Sequence, residues 1–281
     1  MKVYKQPCAL CGVNNPEILF PASFKRKINK HENIVICKNC GLVYKYPIVP
    51  ESEIVHYMTV GHWKSAYFDK KLTGTADFIY KKLPHERQSI LDIGAAAGHL
   101  LNHLAKKYPN AKLTGIEPSK HACNEAKALN SKVNMVTATI ETTTLPKNSF
   151  DLITAIGVDY LFLDHVKGLL KINELLRTDG VFYIERNVFL NSKAYVSTVI
   201  DNRDDLFGMN SMMKNWFTID QMTLHLSRFF EIIGKNSVIS NIIKGHKNIH
   251  YGWLCKKRAK QINVTIPNKY KENKTYVLTR L

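Results

Sequence analysis

The stretch Ser89-Ile90-Leu91-Asp92-Ile93-Gly94-Ala95-Ala96-Ala97-Gly98-His99-Leu100-Leu101 decides how this chain is read. An apolar run ends in an acid, passes through a turn of small residues and opens an amphipathic helix. That order fits a buried strand whose carboxyl end lets a ligand approach the main chain, because small side chains leave the backbone uncovered there. Residues 112–116 form a second apolar run, and it ends Thr114-Gly115-Ile116-Glu117-Pro118-Ser119. This puts a carboxylate about 20 residues beyond the turn, where it can accept hydrogen bonds from both hydroxyls of a ribose.

Around this pair the chain alternates short apolar runs with helical stretches. Runs at 89–93, 112–116, 134–138, 150–156 and 180–185 are separated by helical patterns at 100–107, 120–129 and 166–176. A helix at 218–229 and runs at 230–238 and 250–255 follow. Strands separated by helices of this length predict a parallel sheet wound by right-handed crossovers. Residues 51–83 read as an aromatic-rich helical lead-in that ends before Pro84.

The stretch from about Glu86 to Glu185 resembles the class I S-adenosylmethionine-dependent methyltransferases. Their first motif, acidic-x-Gly-x-Gly-x-Gly, is matched by Asp92-Ile93-Gly94-Ala95-Ala96-Ala97-Gly98, with Ala96 where the middle glycine stands. Their second is matched by Gly115-Ile116-Glu117-Pro118-Ser119, and where the third usually has an acid, Thr139-Ile140 stands here. The spacing of Gly94 and Gly98 departs from the Gly-x-Gly-x-x-Gly of dinucleotide-binding dehydrogenases. The resemblance implies an α/β fold, a Rossmann-like seven-stranded methyltransferase sheet. It implies S-adenosyl-L-methionine as cofactor, held by Asp92, Gly94, Ala96, Gly98, Glu117, Pro118, Thr139, Ile140 and Gly157.

The amino-terminal segment holds two matched units, Cys8-Ala9-Leu10-Cys11-Gly12 and Cys37-Lys38-Asn39-Cys40-Gly41, with 25 residues between Cys11 and Cys37. Each pair of thiolates points to one spot, and four make a closed tetrahedral zinc site, structural because no coordination position stays open. Residues 33–37 and 42–46 read as the strands of a hairpin between and behind them. Too little apolar material precedes Pro47 for an independent core, so the metal substitutes for one. Cys123 and Cys255 read as ordinary buried thiols. The second unit, continuing Gly41-Leu42-Val43-Tyr44 to Tyr46-Pro47, together with Trp216-Phe217-Thr218, is similar to methyltransferases of sugar, polysaccharide and natural-product pathways.

The expected organisation is a zinc ribbon at 1–47, a helical lead-in or lid at 48–85, the methyltransferase domain at 86–255 and a basic tail at 256–281. In the sugar-pathway subgroup a Glu-His pair often follows the fourth strand; aligned through Val158, that pair becomes Tyr160-Leu161 here. Tyr160 and Glu185 are therefore the residues expected to face the substrate, with Asp159 at the mouth, His165 at the surface and Glu185-Arg186 as a candidate local ion pair. His56, His62 and Trp63 are candidates for a covering lid, though aromatics at helical spacing more often serve packing.

A content of 45% hydrophobic and 22% charged residues, with 14 Gly and 10 Pro, excludes collagenous and wholly disordered classes. No apolar run approaches the roughly 18 residues a membrane-spanning helix needs, and the first ten residues lack a secretory apolar stretch, so a cytoplasmic protein is expected. The net charge of +17 suits a polyanionic partner, but Lys dominates over Arg along the whole chain, which reads as compositional bias rather than one patch. The expected function is methyl transfer to a small-molecule acceptor, a sugar, nucleotide-sugar or natural-product intermediate. The alternatives are an RNA methyltransferase that grips phosphates with the ribbon and the basic surface, and a scaffold that has lost catalysis. Oligomeric state and acceptor atom are not encoded legibly.

Overall fold

The computed structural model describes residues 5–21, 32–48, 65–188, 214–243, 246–263 and 265–267, together with 52, 55, 56 and 59. Five parallel strands form the centre: β4 (Ser89–Ile93), β5 (Lys112–Ile116), β6 (Val133–Val136), β7 (Phe150–Ile156) and β8 (Leu176–Asn187). Two long antiparallel strands, β10 (Phe230–Ile243) and β11 (His246–Lys257), complete a seven-stranded sheet ordered β10-β11-β8-β7-β4-β5-β6. Every residue of β4 after Ser89 is buried, as expected of a parallel strand covered on both faces.

The helices α1 (Ser65–Lys82), α2 (His99–Lys107), α3 (Lys120–Leu129), α4 (His165–Leu175) and α5 (Ile219–Ser227) cover the faces. On one face Ala76 and Ile79 of α1 pack with Leu100, Leu101 and Leu104 of α2 against Ile90 and Leu152. On the other, Leu169, Ile172 and Leu175 of α4 pack with Met222 and Leu226 of α5 against Leu91, Ile153 and Phe182. This is the seven-stranded, Rossmann-like fold expected from the sequence. Strand order reverses between β4 and β7, and ligands bind at the carboxyl ends of strands flanking such a reversal.

The amino-terminal segment forms a second sheet, in which β1 (Pro16–Phe20), β2 (Asn33–Cys37) and β3 (Val43–Tyr46) run antiparallel. Its fourth strand, β9 (Asn215–Trp216), comes from far along the chain, where Tyr44 pairs with Asn215 and Val43 with Trp216. Its core is shared as well: Cys37, Leu42 and Tyr44 belong to the same buried cluster as Phe217, Met222 and Phe229. Of the lead-in, the described helix begins at Ser65, and the helical residues 52, 55, 56 and 59 precede it. His62 and Trp63 lie outside the described residues, and His56 is exposed. Cys123 and Cys255 are buried free thiols. Beyond Lys257 the described residues form no helix or strand, and 268–281 lie outside them.

Candidate active site and metal centre

The turn after β4 is fixed to β5 before any ligand arrives. The N–H groups of Gly94 and Ala95 donate to the Ile116 carbonyl at 2.8 and 3.1 Å. Gly94 and Gly98 have φ of +67° and +75°. A Cβ on Gly94 would stand 2.6 Å from Val158 Cγ1, and one on Gly98 would stand 2.9 Å from the Cβ of Ala126. Both positions therefore need glycine for conformation and for space. Ala96 shares the left-handed region, with φ of +46°, and keeps its Cβ there.

Glu117 lies across this turn at the end of β5, 5% exposed. Its Oε1 accepts from the Ser119 N–H at 2.9 Å and its Oε2 from the Ala96 N–H at 3.1 Å, so the carboxylate is aimed by two backbone donors. Burial pushes its carboxyl up, and those N–H groups pull it part of the way back. Asp92 is buried beneath the turn, where its Oδ1 accepts from Thr154 Oγ1 at 2.6 Å. Burial carries its carboxyl up to about 7 despite that bond.

These groups border a cavity of about 350 Å³, within the usual range for small-molecule sites. Asp92, Gly94, Ala96, Glu117, Pro118, Thr139, Ile140 and Gly157 all line it, whereas Gly98 supports the turn from below. A Cβ on Gly157 would meet nothing within 4 Å. Glu141 also lines the cavity, and sequence reading passed over it because the acid stands just after the Thr139-Ile140 pair. Its Oε1 accepts from the Leu163 N–H at 2.9 Å, while its buried Oε2 has no hydrogen-bond partner among the described residues. Burial raises its carboxyl.

The cavity is also lined by Tyr160, Leu161, Phe162, Lys71 and His250. Tyr160 sits on a 3-10 turn, Asp159–Leu161, directly after β7. Glu185 is not among the lining residues. It is 2% exposed behind Lys71 and His250, where it accepts from Thr75 Oγ1 and from the Tyr183 hydroxyl, both at 3.2 Å. Lys71 Nζ lies 2.8 Å from Glu185 Oε1 and 3.0 Å from His250 Nδ1. Burial, then the Lys71 cation, lowers His250 to about 4, so the ring is neutral at pH 7. With an ammonium donating to Nδ1, the remaining proton belongs on Nε2.

Three readings from sequence are corrected here. Asp159 is fully buried rather than at the mouth, and His165 is 5% exposed rather than a surface residue. Glu185 and Arg186 do not pair, because successive strand residues face opposite sides of the sheet. Arg186 instead reaches Asp159 Oδ2 at 2.6 Å, and His165 Nε2 reaches the same oxygen at 2.9 Å. Burial alone would raise the Asp159 carboxyl, but Arg186 and His165 outweigh it and hold it below the ordinary range. His165 Nδ1 continues to His225 Nε2 at 3.0 Å.

The four amino-terminal cysteines converge, with their Sγ atoms all within 4.8 Å of one another. Cys8 and Cys40 are 3.5 Å apart at sulfur, and Cys11 and Cys37 3.6 Å. Zn–S bonds of about 2.3 Å in a tetrahedron place sulfurs about 3.8 Å apart, so the set fits zinc in number, chemistry and spacing. The Gly12 and Gly41 N–H groups donate back to the Cys8 and Cys37 carbonyls at 2.8 and 2.9 Å and close the two knuckles.

A family model described as "Methyltransferase domain" matches residues 84–251. Among curated proteins, the carboxy-S-adenosyl-L-methionine synthase of Nautilia profundicola is 29% identical over 128 residues, which cover 44% of this chain and 54% of that protein. The chain thus spans about half the length of that relative. The plantazolicin methyltransferase BpumL, solved with a pentazolic desmethylPZN analog and SAH, superposes with a TM-score of 0.51 at 20% identity, covering 74% of this chain and 91% of that one. A SAM-dependent methyltransferase of Leishmania major gives a TM-score of 0.56 at 18% identity, covering 73% and 82%. At such identities the solved structures speak for the fold. No helix among the described residues is long and apolar enough to cross a membrane.

Proposed function

We propose, because this chain belongs to the methyltransferase-domain family, that it is a methyltransferase whose acceptor is a small molecule: a sugar, nucleotide-sugar or natural-product intermediate. The observation that carries the reading is the Glu117 carboxylate, aimed by the Ala96 and Ser119 N–H groups beside the Gly94–Gly98 turn. That arrangement suits two ribose hydroxyls. Thr139 and Ile140 would border the adenine, and Glu141 Oε2 offers an acceptor for an exocyclic amine. When bound, S-adenosyl-L-methionine supplies an electrophilic methyl group on sulfur.

The chain's own contribution is to hold an acceptor against that methyl group and to manage its proton. Tyr160, His250 and Lys71 form the polar part of the wall available to the acceptor, and Leu161 and Phe162 the apolar part. Glu185 acts through Lys71, whose ammonium it balances, and through the tautomer of His250 that this ammonium selects. His250 then presents an N–H donor, which suits orienting an acceptor oxygen. We read residues 1–47 as a ribbon held by structural zinc on Cys8, Cys11, Cys37 and Cys40, 48–85 as the lead-in and 86–255 as the catalytic domain.

Calorimetry with S-adenosylhomocysteine tests the cofactor seat. Wild type should bind, and Glu117→Ala should lose about 2 kcal/mol, roughly thirtyfold, because charge-assisted hydrogen bonds to the ribose disappear. Folded protein that fails to bind at millimolar ligand would overturn the reading. Tritiated methyl transfer to a panel of sugars and nucleotide-sugars then identifies the acceptor.

A further inference from the structure

Helix α5 and the residue that follows it touch both cysteine knuckles. Gln221 Nε2 donates to the Cys40 carbonyl at 3.4 Å, and Arg228, just past the helix, donates to the Leu10 and Ala9 carbonyls at 3.0 and 3.4 Å. The start of the helix is locked by a reciprocal capping box between Thr218 and Gln221, so the residue that grips Cys40 also fixes the helix end. The same helix carries His225, which is completely buried and bonded to His165.

A second route leaves the cysteine sheet through β9. Tyr44 of β3 pairs with Asn215, whose carbonyl accepts from Arg186 Nη2 at 2.9 Å. The other arm of the same guanidinium holds Asp159. Asp159 begins the 3-10 turn that points Tyr160 into the cavity, and the turn is closed by the Leu161 and Phe162 N–H groups on the Val158 and Asp159 carbonyls. Both routes therefore end on Asp159, one through the Arg186 fork and one through His225 and His165. Lys214 adds a third tie, because its Nζ donates to the Phe162 and Leu163 carbonyls at 2.6 and 3.2 Å while the neighbouring β9 pairs with β3.

We propose that the four-cysteine centre positions the acceptor side of the cavity: α5 and the two-armed bridge of Arg186, between Asn215 and Asp159, transmit its order to the Tyr160 turn. The inference rests on the zinc reading above and goes beyond it, since a closed metal site 100 or more residues from the turn in sequence would otherwise serve only its own sheet. Arg186 is a positioning residue. Its side chain is 1% exposed and, among the described residues, meets the Tyr160 turn through Asp159. A lysine in its place could keep one partner and not both, because the ammonium is a single point where the guanidinium is a fork.

Hydrogen exchange read by mass spectrometry on the full chain tests this. Samples are zinc-loaded, chelator-stripped and zinc-restored, with metal content measured on each. In wild type, stripping should speed exchange at the Leu161, Phe162 and Leu163 amides about tenfold, while the β4 amides change less than about twofold, and zinc should restore protection. In Arg186→Lys the turn should exchange faster even when loaded, and the additional effect of stripping should fall below about threefold. One zinc bound with no response at the turn would overturn the inference and leave the metal reading intact. Equal acceleration in β4 and the turn would also overturn it, since the metal would then hold the whole fold. An unchanged metal effect in Arg186→Lys would remove Arg186 from the route and with it the proposal. Absence of bound zinc from freshly purified and zinc-supplied protein would defeat the metal reading and this inference together.

Discussion

Ala96 and Ala95 are adjacent, chemically identical and opposed in what they do for the turn, so the same substitution at each should change stability in opposite directions. Ala96 holds φ at +46°, a conformation that costs an L-residue about 1–2 kcal/mol. Glycine removes that cost. Against it stand the greater freedom of glycine in the unfolded chain, about 0.4–1 kcal/mol, and the loss of a half-buried methyl, about 0.4 kcal/mol. Ala96→Gly should therefore be neutral to stabilising, by about 0.5 kcal/mol. Ala95 is 6% exposed, is absent from the positive-φ residues, and its Cβ fills the space beside Gly115. Ala95→Gly gives no relief and loses both the buried methyl and the entropy, about 1.5 kcal/mol. Urea unfolding followed by circular dichroism should separate the two variants by about 2 kcal/mol. The Ala96 N–H to Glu117 survives the change, so affinity for S-adenosylhomocysteine should stay within about threefold of wild type. An Ala96→Gly variant destabilised as much as Ala95→Gly would refute the claim that the turn stores strain at this residue.

Asp92 makes the unliganded protein sensitive to pH. Its folded pKa of about 7 lies above the ordinary 3.8, so its contribution is intact below about pH 4 and is lost as pH rises through 7, by roughly 4 kcal/mol at most. Asp92→Asn should flatten that part of the profile in thermal melts from pH 4 to 8 and raise the melting temperature at pH 8; an unchanged slope counts against burial as the cause. Gly94→Ala puts a Cβ 2.6 Å from Val158 Cγ1 at a φ of +67°, and together the clash and the strain should cost about 2–4 kcal/mol in urea unfolding. Arg186→Met strands the buried Asp159 carboxylate and should cost about 3–5 kcal/mol, much of it recovered in Arg186→Met combined with Asp159→Leu, because the pair can be replaced by apolar groups but not halved. Cys40→Ser should lower bound zinc and the melting temperature together, checked by elemental analysis and calorimetry.

The cofactor end of the site was open to reading because it is built from short, contiguous segments. Asp92 to Gly98 and Gly115 to Glu117 lie on neighbouring parallel strands whose register sets Asp92 beside Gly115. Each buried strand there is an apolar run bounded by Gly, Pro or Asn, and four strand boundaries (89–93, 33–37, 112–116, 150–156) agree with the expected ones. The group formed by Lys71, Glu185 and His250 has no such signature. Lys71 reaches Glu185 from a helix more than 100 residues upstream, and His250 arrives because β11 runs antiparallel to β8, with His250 opposite Asn187. Two residues of β9 close the cysteine sheet, too short a strand to leave a periodic pattern.

Asp159 shows why residue-by-residue reading fails at this end. An aspartate, an arginine and a histidine judged singly each belong at the surface, since charged groups avoid burial. Judged together the preference inverts: the desolvation that excludes each from the interior is offset by the others, with Arg186 and His165 on one carboxylate oxygen and Asn215 on the far arm of the guanidinium. That offset exists only once β7, β8, α4 and β9 have come together. The position of Tyr160, one residue after Asp159, is therefore a property of the assembled fold, and no local segment around residue 160 could have specified it.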